Sequence, residues 1–190
     1  MKAIHLVGLV PHLLEVLILT SAGADALVEV RRRAGIPPER HFAINGYYAD
    51  DEWRHMLEST RKVLGLTSEE AEETYAEFFF RDALKRWPRW FKMSTNAREF
   101  LQRQPAIHNT FALSQADSNT RRTILDKFRV ESDDSELTVH YRSPNHHCGL
   151  YKSLARRIIG YYGDTASIEE PHCLKRGDDK CEIHIRWEDQ

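Results

Sequence analysis

The sequence lacks the excess of one charge that marks many nucleic-acid-binding and membrane-surface proteins. It has 27 lysines and arginines against 29 aspartates and glutamates, which gives a formal net charge of −2. We therefore expect neither nucleic acid nor a membrane as a partner, because no basic surplus is available to neutralise phosphates. The longest apolar stretch, residues 13–19, is interrupted by Glu15 and falls far short of the roughly 20 residues that a membrane span requires.

Cysteines and targeting signals are also scarce. The chain has only three cysteines, all in its C-terminal third, and this odd number argues against the disulfide framework of a small secreted protein. The N-terminus shows no charged region followed by an apolar region and a cleavage site. A glycine-rich phosphate loop and a specific nucleophile–base motif are missing as well. These absences predict a cytoplasmic protein that is not an enzyme.

The hydrophobic pattern predicts a helical part followed by a sheet part. Apolar residues recur at intervals of three and four in the first two thirds, as at Trp53, Met56 and Leu57, which indicates amphipathic helices. After about residue 120 the period becomes two, in residues 137–141 and 183–187, which is typical of half-buried strands. We predict a single α+β domain over residues 1–190. Its helical part covers about 1–118, and a C-terminal antiparallel sheet with one packed helix covers about 119–190.

Local signals place the expected element boundaries. Helix ends are predicted at Gly35 and before Pro88, and a helix start with a capping pattern at residues 67–70. A short helix is expected over residues 95–103, capped by Ser94 or Thr95 and stopped by Pro105. The first hairpin is expected from strands at 124–131 and 136–142, and the second turns at 176–180. The helix between the hairpins is expected to bury one face, made of Leu150, Leu154, Ile158 and Tyr161.

One of the ten histidines stands in an apolar setting. His108 follows the short helix and lies close in sequence to Leu101, Ile107 and Phe111. A neutral imidazole in an apolar cleft is what an axial haem ligand requires, because the porphyrin supplies the other four donors to the iron. Local chemistry leaves the alternative open that His108 is an ordinary core histidine.

A pair of hydroxyl groups ends the first hairpin. Tyr141 and Ser143 are two residues apart at the end of a predicted strand, so both side chains point to the same face. Two hydroxyl donors on one face can converge on an anion such as a carboxylate. The alternative is a strand that simply runs into a Ser-Pro turn.

The cysteines have a spacing that suits a metal. Cys148, Cys173 and Cys181 follow the pattern C-x24-C-x7-C, and the last two bracket the turn of the second hairpin. Such a hairpin brings two thiolates onto one Zn²⁺, and the third thiolate with a histidine completes a tetrahedral site. Buried cysteines without a ligand are the alternative.

Several motifs occur in an order that resembles one family along essentially the whole chain. They are residues 46–52 (Gly-Tyr-Tyr-Ala-Asp-Asp-Glu), 106–108 (Ala-Ile-His), 137–144 (Leu-Thr-Val-His-Tyr-Arg-Ser-Pro) and 173–181 (Cys-Leu-Lys-Arg-Gly-Asp-Asp-Lys-Cys). In this respect the chain is similar to H-NOX (haem nitric oxide/oxygen binding) domains. The resemblance implies haem b between the helical part and the sheet part, with His108 as the proximal iron ligand. It also implies that Tyr141 and Ser143 hydrogen-bond the haem propionates.

The chain departs from the family pattern at the end of one motif. The family sequence Tyr-x-Ser-x-Arg ends here in Asn145, which removes a charge-assisted contact to a propionate. Arg142 or a neighbouring histidine is then the candidate for a compensating contact.

Two further site residues follow from the resemblance. Members that hold dioxygen carry a distal tyrosine where this chain has Leu150, so the resemblance favours nitric oxide and CO over oxygen. Some members carry a structural zinc with a histidine three residues before the second cysteine. That position is Glu170 here, so His172 is the expected fourth ligand beside the three cysteines.

The resemblance implies a non-catalytic sensor that acts on a partner in trans. Nitric oxide would bind the ferrous haem and weaken the bond to His108. The partner, a histidine kinase or a cyclic-dinucleotide enzyme, would read the resulting shift of the helix. The alternative, which Asn145 favours, is a haem-independent regulatory module in which a zinc–thiolate cluster senses redox state. Zinc without iron or Soret absorbance would identify the alternative.

Overall fold

A computed structural model of the protein has an α+β fold, as predicted. The structure describes residues 4–113, 118–125, 127–133, 135–143 and 145–188. The helices are α1 (Leu9–Ala34), α2 (Asp50–Leu64), α3 (Ser68–Arg86), α4 (Pro88–Lys92), α5 (Ala97–Gln102), α6 (Gln104–Leu113), α7 (Ser118–Leu125) and α8 (Cys148–Tyr162). The strands are β1 (Ile4–Val7), β2 (Tyr47–Ala49), β3 (Phe128–Ser132), β4 (Glu136–Tyr141), β5 (Ala166–His172) and β6 (Cys181–Trp187).

The chain divides into two compact units, residues 1–79 and residues 80–190. The helices α4 to α7 thus belong to the same unit as β3 to β6. The expectation of a single sensor domain over residues 1–190 stays a prediction. Each unit is described by itself below.

The first unit packs its helices around buried aromatic rings. Trp53 of α2 and Tyr75 of α3 are almost fully buried, and their ring centroids lie 5.4 Å apart. The Tyr75 hydroxyl donates a hydrogen bond of 2.7 Å to the carbonyl of Val10 in α1. This bond satisfies the one polar atom of an otherwise apolar ring, as burial requires. β1 and β2 pair antiparallel in this unit, a pairing that the sequence did not predict.

The predicted helix boundaries of this unit are confirmed. Gly35 ends α1 with a φ of 68°, a left-handed conformation that glycine adopts at little cost. Thr67 and Glu70 form a reciprocal capping pair at the start of α3, with hydrogen bonds of 2.7 and 3.1 Å. No helix in the described part of the chain combines the length and apolarity needed to cross a membrane.

The second unit contains a four-stranded antiparallel sheet in the order β3-β4-β6-β5. Alternate residues of its central strands are buried, which confirms the predicted period of two. The buried set is Leu137, Val139, Tyr141, Cys181, Ile183 and Ile185. A turn at 176–180 connects β5 and β6, as expected, and Gly177 in it has a φ of 96°. α8 lies between the two hairpins in sequence, as predicted.

Strand β3 is shorter than predicted. It begins at Phe128, whereas the sequence analysis placed its start at residue 124. Residues 118–125 instead form α7. The apolar residues at 124, 125 and 128 fit a helical spacing as well as a strand, so hydrophobicity alone did not separate the two.

The short helices before His108 also differ from the prediction. Asn96, and neither Ser94 nor Thr95, caps α5, because its side chain accepts a hydrogen bond of 2.8 Å from the Glu99 N–H. Pro105 does not stop a helix: it lies in the first turn of α6, where its missing N–H costs nothing. His108 therefore lies on α6.

The buried face of α8 is rotated from the one expected. Tyr151, Ala155 and Ile158 are buried, whereas Tyr161 is 48% exposed. Leu150 and Leu154 are only half-buried. The spacing of three and four was right, but two overlapping apolar stripes run along this helix, and the buried one contains Tyr151.

Candidate functional site

His108 presents a neutral imidazole with an unused nitrogen. Its Nδ1 atom is shielded from solvent and has no hydrogen-bond partner within the described residues. Burial, with a smaller contribution from the charge of Lys127, lowers the pKa of His108 to about 4. The ring packs edge-on against Phe128 at a centroid distance of 5.0 Å. A neutral imidazole is the form that binds a metal ion.

Phe128 joins His108 to two tyrosines. Its ring centroid lies 4.9 Å from that of Tyr141 and 5.7 Å from that of Tyr151. The Tyr151 hydroxyl is buried and has no hydrogen-bond partner in the part of the chain that the structure describes, and burial raises the pKa of this hydroxyl. A buried polar atom without a partner costs about 1–3 kcal/mol. A bound ligand would satisfy such atoms, and two of them lie beside one aromatic cluster here.

Tyr141 and Ser143 are brought together, as the sequence predicts. Both are buried, with 2% and 3% exposure. The Tyr141 oxygen accepts a hydrogen bond of 3.1 Å from the His147 N–H. Burial raises the pKa of Tyr141, and its hydrogen bonds with the Ser143 side chain and the His147 backbone partly oppose the rise. Since the oxygen serves as an acceptor, the hydroxyl proton of Tyr141 can be given to a ligand.

Lys127 is a buried cation that the sequence analysis missed. It is 7% exposed and directly precedes Phe128. Its backbone carbonyl accepts a hydrogen bond of 3.0 Å from the Arg142 N–H. The sequence signal that could have revealed its burial is its position directly before Phe128, the apolar residue that starts β3. We call His108, Lys127, Phe128, Tyr141 and Ser143 the His108 site.

The residues around the missing arginine differ in burial and in charge. Asn145 is buried and neutral, and its N–H donates a hydrogen bond of 3.3 Å to the Ser143 hydroxyl. Arg142 is exposed. Burial, aided by Lys127, Lys175 and His146, lowers the pKa of His147 to about 3, so this ring is neutral at physiological pH.

The three cysteines and Glu170 form a second site, here named the cysteine cluster. The ligand atoms of Cys148, Glu170, Cys173 and Cys181 all lie within 4.8 Å of one another. The Sγ atoms of Cys148 and Cys173 are 3.6 Å apart. Burial raises the pKa of Cys148, and it raises the pKa of Cys181 to about 11. A divalent cation would reverse this preference and hold the thiolates.

Glu170 lies in the cluster, and His172 does not. One carboxylate oxygen of Glu170 accepts a hydrogen bond of 2.7 Å from the Lys152 ammonium. Its other oxygen, Oε1, is buried without a partner among the described residues. The side chain of His172 is 57% exposed, and its Nδ1 lies 3.7 Å from an oxygen of Asp178. The fourth group within reach of the thiols is therefore a carboxylate.

Curated relatives of the chain are soluble guanylate cyclases from Caenorhabditis elegans. The chain is 34% identical to soluble guanylate cyclase gcy-37 over 94 residues, which is 48% of this chain and 13% of the relative. It is 25% identical to soluble guanylate cyclase gcy-32 over 160 residues, which is 80% of this chain and 23% of the relative. The chain thus spans less than a quarter of the length of these relatives.

Solved structures of H-NOX proteins share the fold. An H-NOX protein from S. oneidensis in the Fe(II)NO state matches with a TM-score of 0.76 and 15% identity, over 97% of this chain and 100% of that chain. An Fe(II) unliganded H-NOX protein from K. algicida matches with a TM-score of 0.75 and 18% identity, over 100% and 98%. The family model described as Haem-NO-binding matches residues 7–170. The chain therefore belongs to the Haem-NO-binding (H-NOX) family.

Proposed function

We propose that this chain is a haem-based nitric oxide sensor in which His108 is the axial iron ligand. The observation that carries the proposal is the shielded Nδ1 of His108, which has no partner in the described chain and belongs to a ring kept neutral by burial. Haem b, when bound, supplies an iron that binds diatomic gases such as nitric oxide and CO. Membership of the Haem-NO-binding family supports the choice of cofactor.

Tyr141 and Ser143 are proposed to hold the carboxylates of the haem. Both hydroxyls are buried, and hydrogen bonds are electrostatically stronger there than in water. The contacts of Tyr141 with Ser143 and with the His147 N–H fix the orientation of its ring and leave its own proton to donate. A charged carboxylate acceptor makes such a bond short and strong.

Leu150 is proposed to set the gas preference. It lies on α8, at the position where the resemblance expects a distal tyrosine in dioxygen-binding members. Its side chain offers no hydrogen-bond donor, and bound dioxygen needs one more than nitric oxide does. We therefore expect binding of nitric oxide and CO without a stable oxygen complex.

The output is proposed to act on another protein. α6 carries His108 and packs against α7 and β3, so a change in how His108 is held shifts this helix and its neighbours. We infer that a histidine kinase or a cyclic-dinucleotide enzyme reads that shift in trans, and that the domain itself catalyses nothing. The three free cysteines favour a reducing compartment, the cytoplasm.

The cysteine cluster supports a second proposal, a zinc site. Three thiolates and one carboxylate oxygen are ligands that Zn²⁺ accepts in a tetrahedral site. The distances within the cluster and the unpaired oxygen of Glu170 favour this set over one with His172. Zinc without haem would indicate a regulatory module that senses redox state through these thiolates.

Absorption spectroscopy and metal analysis together test both proposals. The protein is reconstituted with haem, and wild type is compared with His108→Ala and with the control His55→Ala, which removes an exposed histidine on α2. We expect the ferrous Soret band to be weakened or shifted only in His108→Ala and to be restored by added imidazole. Wild type should form a nitric oxide adduct but no stable oxygen complex. A folded wild-type protein that contains zinc and takes up no haem would reject the sensor in favour of the zinc module.

A further inference from the structure

We infer that the ion pair between Lys152 and Glu170 takes the place of the histidine in a zinc site of three cysteines and one histidine, with Lys152 as the residue that positions Glu170. The inference rests on the proposed zinc site. It concerns a residue of α8 that is not itself a metal ligand.

The position of the Lys152 side chain is the first observation. Its ammonium nitrogen lies 2.7 Å from Oε2 of Glu170. The other carboxylate oxygen, Oε1, is shielded from solvent and has no hydrogen-bond partner among the residues whose structure is described. A carboxylate oxygen of Glu170 also lies within 4.8 Å of all three cysteine sulfurs. Lys152 thus holds one oxygen of a carboxylate that borders the thiols and leaves the other oxygen available to a metal ion.

The burial of this pair is the second observation. The side chain of Glu170 is 6% exposed and that of Lys152 is 24% exposed. A buried carboxylate needs a positive partner, because burial removes the water that would otherwise solvate its charge. Lys152 supplies that partner before a metal binds, so the carboxylate stays inside the cysteine cluster.

The placement of Lys152 on its helix is the third observation. Lys152 and Cys148 are four residues apart on α8, and residues at this spacing lie on the same face of a helix, one turn apart. Cys148 contributes a sulfur to the cysteine cluster. One face of α8 therefore carries both a metal ligand and the group that holds the ligand from β5.

The charge of the ligand set explains why a lysine is needed here. Zn²⁺ with three thiolates and a neutral imidazole carries one net negative charge, and this ligand set is common in structural zinc sites. A carboxylate in place of the imidazole adds a second negative charge, which is costly to bury. The ammonium group of Lys152 removes that excess, so the pair has the same net charge as the imidazole that it replaces.

The experiment measures zinc affinity by competition with a chromophoric chelator. The variants are Lys152→Met, the charge-retaining Lys152→Arg and the control Arg156→Met, which removes an exposed cation one turn further along α8. We expect Lys152→Met to weaken zinc binding about tenfold, at the lower end of the loss caused by removing a group that orients a metal ligand. Lys152→Arg and Arg156→Met should bind zinc as wild type does. With Co²⁺ in place of zinc, the visible absorption of Lys152→Met should resemble that of Glu170→Ala, because the carboxylate has left the metal in both.

A second ligand set separates this role from a general effect on α8. Glu170→His places an imidazole where the resemblance expects the zinc-binding histidine, and no extra negative charge remains for Lys152 to balance. In this background, Lys152→Met should no longer weaken zinc binding.

Thermal unfolding of each metal-free protein checks that the fold is retained, and Lys152→Gln replaces Lys152→Met if the latter does not fold. Unchanged zinc affinity in Lys152→Met, or an equal loss with Glu170 and with Glu170→His, would overturn the inference and leave the zinc site intact. No zinc binding by wild type would overturn the proposed zinc site as well.

Discussion

The His108 site and the cysteine cluster adjoin each other in the second unit but have opposite electrostatic character. They meet on neighbouring strands, where Tyr141 of β4 pairs with Cys181 of β6. The His108 site combines neutral rings and hydroxyls with a buried cation, Lys127. The cysteine cluster combines three thiols with the carboxylate of Glu170. The first therefore suits a ligand that carries negative charge, and the second suits a divalent cation.

Under the proposed function, this difference would let one sheet bind haem at one site and zinc at the other. Burial lowers the pKa of His108 and raises the pKa of the Cys148 and Cys181 thiols, so it favours the neutral form of each of these three groups. The two sites also differ in the charged residue that each contains, which is Lys127 in the His108 site and Glu170 in the cysteine cluster. Removing either charge should weaken binding at its own site and leave the other site unchanged.

The largest effect is expected from removing a thiol of the cysteine cluster. Cys173→Ser should lower zinc affinity by about 100-fold or more, since a thiolate ligand is lost outright. Glu170→Ala should lower it by about tenfold, and the exposed His172→Ala should not change it. Competition with a chromophoric chelator measures all three variants. Haem affinity in each variant shows whether the two sites are independent.

A loss of zinc in His172→Ala equal to that in Glu170→Ala would contradict this assignment. It would mean that the hairpin rearranges to bring His172 inward when the metal binds. Full zinc binding by Cys173→Ser would reject the zinc site altogether.

The second effect is a pH dependence of stability to which His108 contributes a separable share. His108 has a pKa of about 4 in the folded chain against an ordinary value of 6.5. The unfolded chain therefore binds more protons between these values, and stability is lost as pH falls below 6.5. From pH 8 to pH 5, His108 should lower the free energy of unfolding of the apoprotein by about 2 kcal/mol.

Urea unfolding of the apoprotein measures this dependence. His108→Leu should lose that share of the pH sensitivity, whereas His55→Leu, which changes an exposed histidine, should keep it. An unchanged pH profile in His108→Leu would mean that the ring is not held neutral in the folded chain.

The sequence predicted much of the framework of these sites and less of their charges. Gly35, the Thr67–Glu70 capping pair and the alternation around Val139 are local signals, and each has the predicted structure. The pairing of β1 with β2 was missed because strands of three and four residues are too short to show a clear alternation of apolar and polar residues. The burial of Lys127 was missed because its surroundings come from a distant segment.

Glu170 and His172 show why the fourth group of the cysteine cluster was not predictable. In a regular strand these two residues share a face, so the sequence gives no reason to prefer one. The register between β5 and β6 shifts between Glu169 and His172. This irregularity leaves the Glu170 side chain buried and that of His172 exposed. Such bulges depend on the partner strand and are seldom visible in one sequence.

A third, smaller effect concerns the hydroxyls of the His108 site. Ser143→Ala removes a hydrogen bond to Tyr141 and the group that accepts the Asn145 N–H. We expect it to speed haem loss by severalfold, since a neutral hydrogen bond contributes about 1 kcal/mol. Transfer of haem to excess apomyoglobin measures this, with Ser153→Ala in α8 as a matched buried serine. Equal losses in both variants would indicate a general loosening of the second unit.

The smallest effect is expected outside both sites and separates fold stability from ligand binding. Asn96→Ala removes the side chain that caps α5, the helix that precedes α6, and such a change costs about 1 kcal/mol of stability. Because Asn96 belongs neither to the His108 site nor to the cysteine cluster, haem dissociation and zinc affinity should both stay at wild-type values. Urea unfolding measures the loss, and Asn96→Asp should restore it because aspartate caps helices equally well. A large change in haem dissociation with Asn96→Ala would instead mean that the start of α5 controls the position of His108. The two sites would then differ in their coupling to α5 as well as in charge.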